Sequence, residues 1–568
     1  MTETNKETKA QLAERLKAAL NPWEQMGEIR RFARDGYGAI PPEWLSTYFR
    51  WWGIYTQGDG AGALGGSGGE GRSTPYFMVR IRIPGGIVRS SQLRTVASLA
   101  ERFARGLADI TVRQNIQLHW VTTEALPEII DELIASGLTT LAACGDDARN
   151  ITGCPLTGLD GESLCDASPL IFAANQALIG NPDFYNLPRK FKVSITGCRS
   201  WCSYPEINDI ALTATERKLR AGTEAGFSLR VGGGLSTEPH LAARLNAFVR
   251  WDQVLPVLTG VARLFRDANV LRCNRRRARL KYLFLKHGYT PEIFLAELEE
   301  NIGFKLDPAE QETVPADVFR DHVGIHPQYQ SDLRYVGASV LCGRLTSDQL
   351  RAAAELAERF ATGELRTTIM QNLVIVNVPA VNAAPLAQEL EQQGFRVGGS
   401  PFWRGAVACT GTEFCKLAIT ETKAFTRWLV SEIDERLPEF DQELKLNVTG
   451  CPNSCGQHWI SDIGLEGKKI KQDGRLMDAY YFCVGGALGE HQAIARPVGF
   501  RCPAAEVPDA LERLLRSYLE LRHDNENLRK FLARHRDEEL RALLSGHSSA
   551  DFAERDLPQG HVSYETEV

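Results

Sequence analysis

The sequence predicts an α+β fold that is internally duplicated. Two observations carry that expectation: motifs of mixed composition recur at a fixed spacing, and each recurring unit reads strand, helix, strand before a second part of short strands and helices. Length agrees, because 568 residues at about 150 per domain give three or four domains.

The repeat is visible in the residues themselves. Gln92-Leu93-Arg94, Ala100-Glu101-Arg102-Phe103-Ala104 and Gln114-Asn115 return 257 positions later as Gln349-Leu350-Arg351, Ala357-Glu358-Arg359-Phe360-Ala361 and Gln371-Asn372. A second set returns 253 positions later. Thr196-Gly197-Cys198, Cys202, Ile207, Asp209-Ile210, Leu212 and Val231-Gly232-Gly233 become Thr449-Gly450-Cys451, Cys455, Ile460, Asp462-Ile463, Leu465 and Val484-Gly485-Gly486. Both sets keep their order, so each half is a two-part unit, roughly 76–325 and 330–568.

The elements follow in chain order. YFMVRIRI from Tyr76 alternates apolar and polar residues and predicts a strand. SSQLRTVASLAERFARG has apolar residues at helical spacing, ITVRQNIQLHWV alternates again, and LPEIIDELIASG is a second amphipathic helix. The second part of each unit pairs apolar strands, FKVSITG and LKLNVTG, with helices such as SPLIFAANQALIG and CKLAITETKAFTRWLVSEIDERL. Residues 58–71, GDGAGALGGSGGEG, predict a flexible loop, and 544–568 a polar tail.

Composition narrows the function. Acidic residues number 71 against 65 basic, for a net charge of −6 and a pI near 6.1. No global field attracts nucleic acid or an anionic membrane, so any basic function must be local. The polar start MTETNKETKAQLAERL lacks a leader's apolar core, and no stretch approaches ~18 uninterrupted apolar residues, so a cytoplasmic protein is expected. Gly60-x-Gly62-x-x-Gly65 matches a dinucleotide fingerprint, but no apolar strand precedes it.

The information lies in the cysteines. Thirteen in so long a chain are too few for a disulfide scaffold, and an odd number cannot all pair, so clustering points to metal or redox chemistry. Cys409-x5-Cys415 and Cys451-x3-Cys455 make two close pairs, which suit a tetrahedral zinc or an iron–sulfur cluster. Spacing leans toward the cluster, since one pair is x5 with a helix expected to follow and the other holds a Pro within its turn. The first half has Cys198-x3-Cys202 and Cys154 at matching places, but Asp160 stands where Cys415 stands in the second half. A second cluster is therefore not expected there.

With these motifs in view, the chain resembles the siroheme-dependent sulfite and nitrite reductases over essentially its whole length. Cys409-x5-Cys415 with Cys451-x3-Cys455 in TGCPNSCGQ, the paired repeat, LPRKFK at 187–192 and TVRQNIQLH at 111–119 carry the resemblance. It implies two ferredoxin-like half-domains, at 76–145 and 330–400, and two mixed α/β siroheme-binding domains, at 146–329 without a cluster and 401–568 with one. Pseudo-twofold symmetry relates the halves, and 1–75 forms an N-terminal wrapping segment. It implies siroheme and a 4Fe–4S cluster held by Cys409, Cys415, Cys451 and Cys455, with Cys455 bridging to the siroheme iron.

The same resemblance assigns the cations. Arg80, Arg149, Lys190 and Lys192 would surround an oxyanion substrate as catalytic residues, where paired cations bind it and supply protons. Arg113, Asn115 and Gln117 alternate, so they are expected on one side, which the resemblance sets against siroheme. The basic run ending in Arg277, Arg279 and Lys281 would bind siroheme carboxylates, where residue patterns alone suggest a solvated helix face or a weak nucleic-acid patch. Tyr55 in RWWGIYTQ and Cys144 in ACGDDARN match a pair that the ferredoxin-linked bacterial sulfite reductases join covalently.

Lys192 decides between substrates in this reading. Sulfite reductases of the family resemble Lys-x-Lys, whereas nitrite reductases usually carry Asn at the second position, and a dianion gains more from a second cation than a monovalent anion does. Sulfite is therefore expected, with nitrite as the alternative. A precorrin-3B synthase-like oxygenase on the same scaffold has no need of an oxyanion cage. No flavin or nicotinamide signature is present, so electrons are expected from ferredoxin, or from a flavoprotein, and the chain is expected to act as a monomer without nucleic acid or membrane.

Overall fold

A computed structural model describes residues 7–58, 73–220, 222–316, 318–472 and 474–546. The Gly60-x-Gly62-x-x-Gly65 pattern and residues 547–568 of the tail lie outside the described residues.

Two antiparallel sheets come from the first parts of the repeat, and each takes its last strand from the other half. One runs Ile54–Gly58, Ser73–Ile81, Ile116–Val121, Leu107–Ile110 and then Arg344–Thr346 from the second half. The other runs Gly324–Pro327, Leu333–Ala338, Leu373–Pro379, Glu364–Thr367 and then Ile87–Arg89 from the first. This reciprocal exchange removes one open edge from each sheet and fuses the two ferredoxin-like units into one body.

Helices Ser90–Phe103 and Ser347–Phe360 pack against each other on these sheets. Both bury a Leu and Ala stripe at helical spacing: Leu93, Ala97 and Ala100 in one, Leu350, Ala354 and Ala357 in the other. Small residues bring the axes close. Ion pairs flank the contact reciprocally, Arg94 with Glu358 at 2.5 Å and Arg351 with Glu101. Thr346 caps the second helix by accepting from the Gln349 N–H at 3.1 Å.

The second parts form two mixed sheets. Val193–Thr196 runs parallel to Ile210–Leu219, which pairs antiparallel with Gly222–Val231 and then Ala243–Val249. Its counterpart runs Ala406–Ala408, Leu446–Thr449, Ile463–Gln472, Arg475–Val484 and Arg496–Pro503. The internal duplication and α+β class expected from the sequence are those observed.

Two local expectations are corrected. ITVRQNIQLHWV is not one alternating strand, because a turn at Thr111–Asn115 interrupts it, closed by the Thr111 N–H on the Asn115 carbonyl at 2.9 Å, with Gln114 at φ 61°. The helix expected directly after the Cys409 pair starts only at Lys423 and runs to Arg436. A 3-10 turn, Gly411–Glu413, lies between the two cysteines, where Gly411 takes φ +66°.

Candidate active site

The cysteines of the second half stand on loops at the ends of parallel strands. Cys409 follows Ala406–Ala408, and Cys451 follows Leu446–Thr449 by two residues. Donors to sulfur come from loop backbone rather than from a helix start: the Gly450 N–H reaches Cys409 Sγ at 3.2 Å. The four thiols lie within one another's electrostatic reach; burial first, and then the neighbouring Cys455, pushes Cys415 up to about 12. Thiols so crowded ionise together only with a cation among them. Cys451 is buried, Cys409 and Cys415 are half-buried, and Cys455 is exposed toward the cation cluster.

That cluster belongs to the first half. Lys190 and Lys192 flank buried Phe191 and so share a side; they sit in the extended lead-in to the strand rather than in the strand, which begins at Val193. Burial and then Arg279 hold the Lys190 ammonium down at about 7, while the Cys455 sulfur of the other half pulls it back up. Burial, Arg279 and Arg113 hold Lys192 well below the usual range. Arg113 is depressed to about 9 by burial and then Arg149. Positive charge exceeds what the surrounding acids compensate, the mark of a site built for an anion.

Arg80 and Arg149 close one end together with Tyr55 and Cys144. Arg80 donates to Cys144 Sγ at 3.0 Å and lies 5.7 Å from the Tyr55 ring centroid. The Tyr55 hydroxyl hydrogen-bonds both the Cys144 thiol and the Arg149 guanidinium. Arg149 is tied to the Gly145 carbonyl at 2.8 and 3.1 Å.

The structure separates the trio read as alternating. Arg113 and Asn115 belong to the Thr111–Asn115 turn, whereas Gln117 is in the strand, opposite Arg80 in register and donating to Met78 Sδ at 3.3 Å. Arg113 bridges the Asn208 side chain at 2.8 Å and the Asn150 carbonyl at 2.7 Å. The basic run is also divided. Arg277 is exposed and 3.8 Å from Glu238. Arg279 is buried and bidentate on Asp209 at 2.7 and 3.1 Å, and Lys281 is buried on backbone carbonyls, Leu235 at 2.9 Å among them.

Asp209 is the residue that sequence reading left without a role. Its carboxylate takes Arg279 and also the Lys192 backbone N–H at 2.7 Å, so it fixes the lysine's main chain between two cationic groups. The second half keeps the same arrangement, since Asp462 likewise accepts the Lys445 N–H at 2.8 Å and contacts Arg529 at 3.2 Å. The mirror cleft is closed, however. Met370 and Val374 stand 257 positions after Arg113 and Gln117, both buried in apolar core, and Lys445 donates to the Val318 carbonyl at 2.7 Å.

These residues fit the implied prosthetic groups. Asn115 Oδ1, Asn150 Oδ1 and Arg113 Nε are buried without a hydrogen-bond partner, a costly state that a polar ligand relieves. The uncompensated cations suit a carboxylate-rich macrocycle, and exposed Cys455 faces them from the half that supplies the other three cysteines.

Comparison with known proteins agrees. The nitrite and sulphite reductase 4Fe-4S domain matches residues 144–306 and 399–551, and the nitrite/sulfite reductase ferredoxin-like half domain matches 70–136 and 326–393. An assimilatory ferredoxin-dependent nitrite reductase of Haloferax mediterranei is 35% identical, over 89% of this chain and 88% of that protein. A sulfite reductase (ferredoxin) of Mycolicibacterium paratuberculosis is 36% identical, over 90% and 92%. The solved Mycobacterium tuberculosis NirA protein superposes with a TM-score of 0.87 at 34% identity, covering 93% of this chain and 97% of that one. The chain therefore belongs to the nitrite and sulfite reductase family, whose siroheme and 4Fe–4S cluster are its prosthetic groups.

Proposed function

We propose that this enzyme carries out the six-electron reduction of sulfite to sulfide with ferredoxin as electron donor. The observation that carries the reading is Lys192, half-buried beside Lys190 and crowded by Arg113 and Arg279. A pocket with so many cations favours the more highly charged anion. Ferredoxin as donor is supported by relatives named for it in both subfamilies, and acceptance of nitrite by the relatives named nitrite reductase.

Cys409, Cys415, Cys451 and Cys455 would hold the cluster, with Cys455 the thiolate turned to the siroheme. When bound, siroheme coupled to the cluster supplies the redox chemistry. The rest is done by side chains. Lys190 and Lys192 attract the anion, and Arg80 and Arg149 orient its oxygens with fixed N–H donors. Lys190, with its pKa near 7, is poised to give a proton as an oxygen leaves and to regain it from solvent. Arg113 and Asn115 in the turn, whose buried polar atoms lack partners, would meet siroheme together with Gln117 from the following strand, with Arg279 and Lys281 as positioning residues near the lysines. Arg277, exposed beside Glu238, would meet a peripheral carboxylate of siroheme.

The test is anaerobic kcat/KM for sulfite and nitrite in parallel, with a reduced viologen as donor. Sulfite should give the higher value, and Lys192→Asn should retain both prosthetic groups while shifting the ratio toward nitrite by about tenfold, the effect of ~1.4 kcal/mol. An unchanged ratio in Lys192→Asn would remove the basis for choosing sulfite.

A further inference from the structure

The first half contains a thiol cluster that the proposed reaction does not use. Cys154, Cys198 and Cys202 are all buried, and their sulfurs lie within 4.8 Å of one another; among the described residues they are the one such group of three Cys, His, Asp or Glu ligand atoms. Cys198 Sγ and Cys202 Sγ are 3.5 Å apart. By the internal repeat these residues occupy the places of Cys409, Cys451 and Cys455, and Asp160 occupies that of Cys415. Asp160 is 3% exposed; its Oδ2 makes no hydrogen bond and meets the Arg320 guanidinium at 2.7 Å.

We infer that this place holds a single thiophilic divalent ion of the zinc class, ligated by the Cys154, Cys198 and Cys202 sulfurs, with the Asp160 carboxylate, which here stands outside the 4.8 Å grouping of the three sulfurs, turning in as the fourth ligand when the ion binds. Tetrahedral zinc with bonds of about 2.3 Å separates its sulfurs by roughly 3.8 Å, which the spacing here accommodates. An iron–sulfur cube interposes an iron–iron edge between ligands and needs them wider apart. The second-half cysteines show the contrast, since they do not gather within the same 4.8 Å.

Charge supports the assignment. Three thiolates and a carboxylate around a divalent ion leave an excess of two negative charges, and Arg320 lies against Asp160 while donating to Ser200 Oγ at 3.2 Å. A guanidinium inside the outer shell offsets half of that excess and orients the carboxylate. The location gives the ion a task. Cys198 follows by two residues the strand whose lead-in carries Lys190 and Lys192, and Cys154 lies five residues after Arg149. One ion would clamp both segments that bear the substrate-facing cations.

The experiment is elemental analysis of the siroheme-loaded holoenzyme after dialysis against a chelator, with zinc K-edge EXAFS. The expected result is about one zinc per chain, with three sulfur neighbours near 2.3 Å and one lighter atom. Cys198→Ser should lose the zinc while the iron content and the siroheme spectrum stay unchanged, and Asp160→Asn should weaken its retention by about tenfold. The wild-type measurement stands even where a variant fails to fold. Wild-type protein without zinc, zinc surrounded by light atoms alone, a Cys198–Cys202 disulfide in the native peptide map, or an iron content raised by a second cluster would each overturn the assignment.

Discussion

Lys190 sits where burial, Arg279, Arg149 and Arg189 all disfavour its charge, which holds its ammonium near 7 against an ordinary 10.5. A lysine with a lowered pKa loses its proton as pH rises through that value, so its attraction for an anion is present below about 7 and fades above it. Nitrite keeps a constant charge in this range and isolates the effect. Its KM should rise several-fold between pH 6 and 8.5, and Lys190→Arg, which stays charged, should flatten the profile; parallel profiles would place the titration elsewhere. Tyr55 and Cys144 make a second prediction at this scale. Their hydroxyl and thiol are in hydrogen-bond contact beneath two guanidinium groups, so a carbon–sulfur bond between ring and thiol, its two hydrogens and two electrons passing to an oxidant such as dioxygen, needs little movement. The intact mass of the as-purified protein should be two hydrogens short, and a peptide map with both side chains unmodified would reject the bond. Both residues could be named from the sequence by resemblance, whereas Asp209 could not, because an aspartate in a repeat gives no sign that it holds a lysine's backbone.

At the scale of elements, the two strand exchanges are locked by reciprocal glutamine contacts. Gln114 donates to the Thr367 carbonyl at 2.9 Å and accepts the Gly153 N–H at 3.0 Å, while Gln371 donates to the Ile110 carbonyl at 3.0 Å and accepts the Ala408 N–H at 3.1 Å. Gly86 and Gly343, 257 positions apart, let these pieces approach. A Cβ on Gly86 would stand 2.2 Å from the Thr367 carbonyl oxygen at φ +75°, and one on Gly343 would stand 2.3 Å from that of Ile110 at φ +71°. Gly106 has a similar φ of +72°, but its nearest neighbour is Ser347 Oγ at 3.5 Å. Gly106→Ala should therefore cost about 1 kcal/mol of backbone strain alone, and Gly86→Ala about 3 kcal/mol or more. Thermal unfolding of both variants decides this, and equal losses would show that the close approach is relaxed at little cost. The helices and strands were legible from periodicity, but the exchange of edge strands was not, because a three-residue strand carries no pattern that names its partner.

At the scale of the molecule, the halves meet through buried polar contacts as well as apolar core. Glu206 is 2% exposed and accepts the Gly489 N–H of the other half at 3.0 Å. Burial raises its pKa to about 7 from 4.5. The folded chain then binds the proton more tightly than the unfolded chain, so stability is full below 4.5, falls as pH rises to about 7, and levels off above. The loss is about 3 kcal/mol. Glu206→Gln keeps the acceptor and removes the titration, so its melting temperature should exceed that of the parent at pH 8 and equal it near pH 4.5. A constant difference across the range would show that Glu206 stays ionised.

Spacing and repetition by themselves determined that the chain is a duplication of α+β units and that four cysteines of one half stand in two close pairs suited to a metal or cluster, whereas the Lys190 and Lys192 pair drew its role from the resemblance. Tertiary structure alone decided that the cation cleft of one half faces the cysteines of the other, that its mirror image is closed by Met370 and Val374, and that Cys154, Cys198 and Cys202 converge. The physical reason is that periodicity and spacing report contacts within a few residues. Which duplicate gathers its cations, and which sulfurs meet, depends on packing between segments some 250 residues apart.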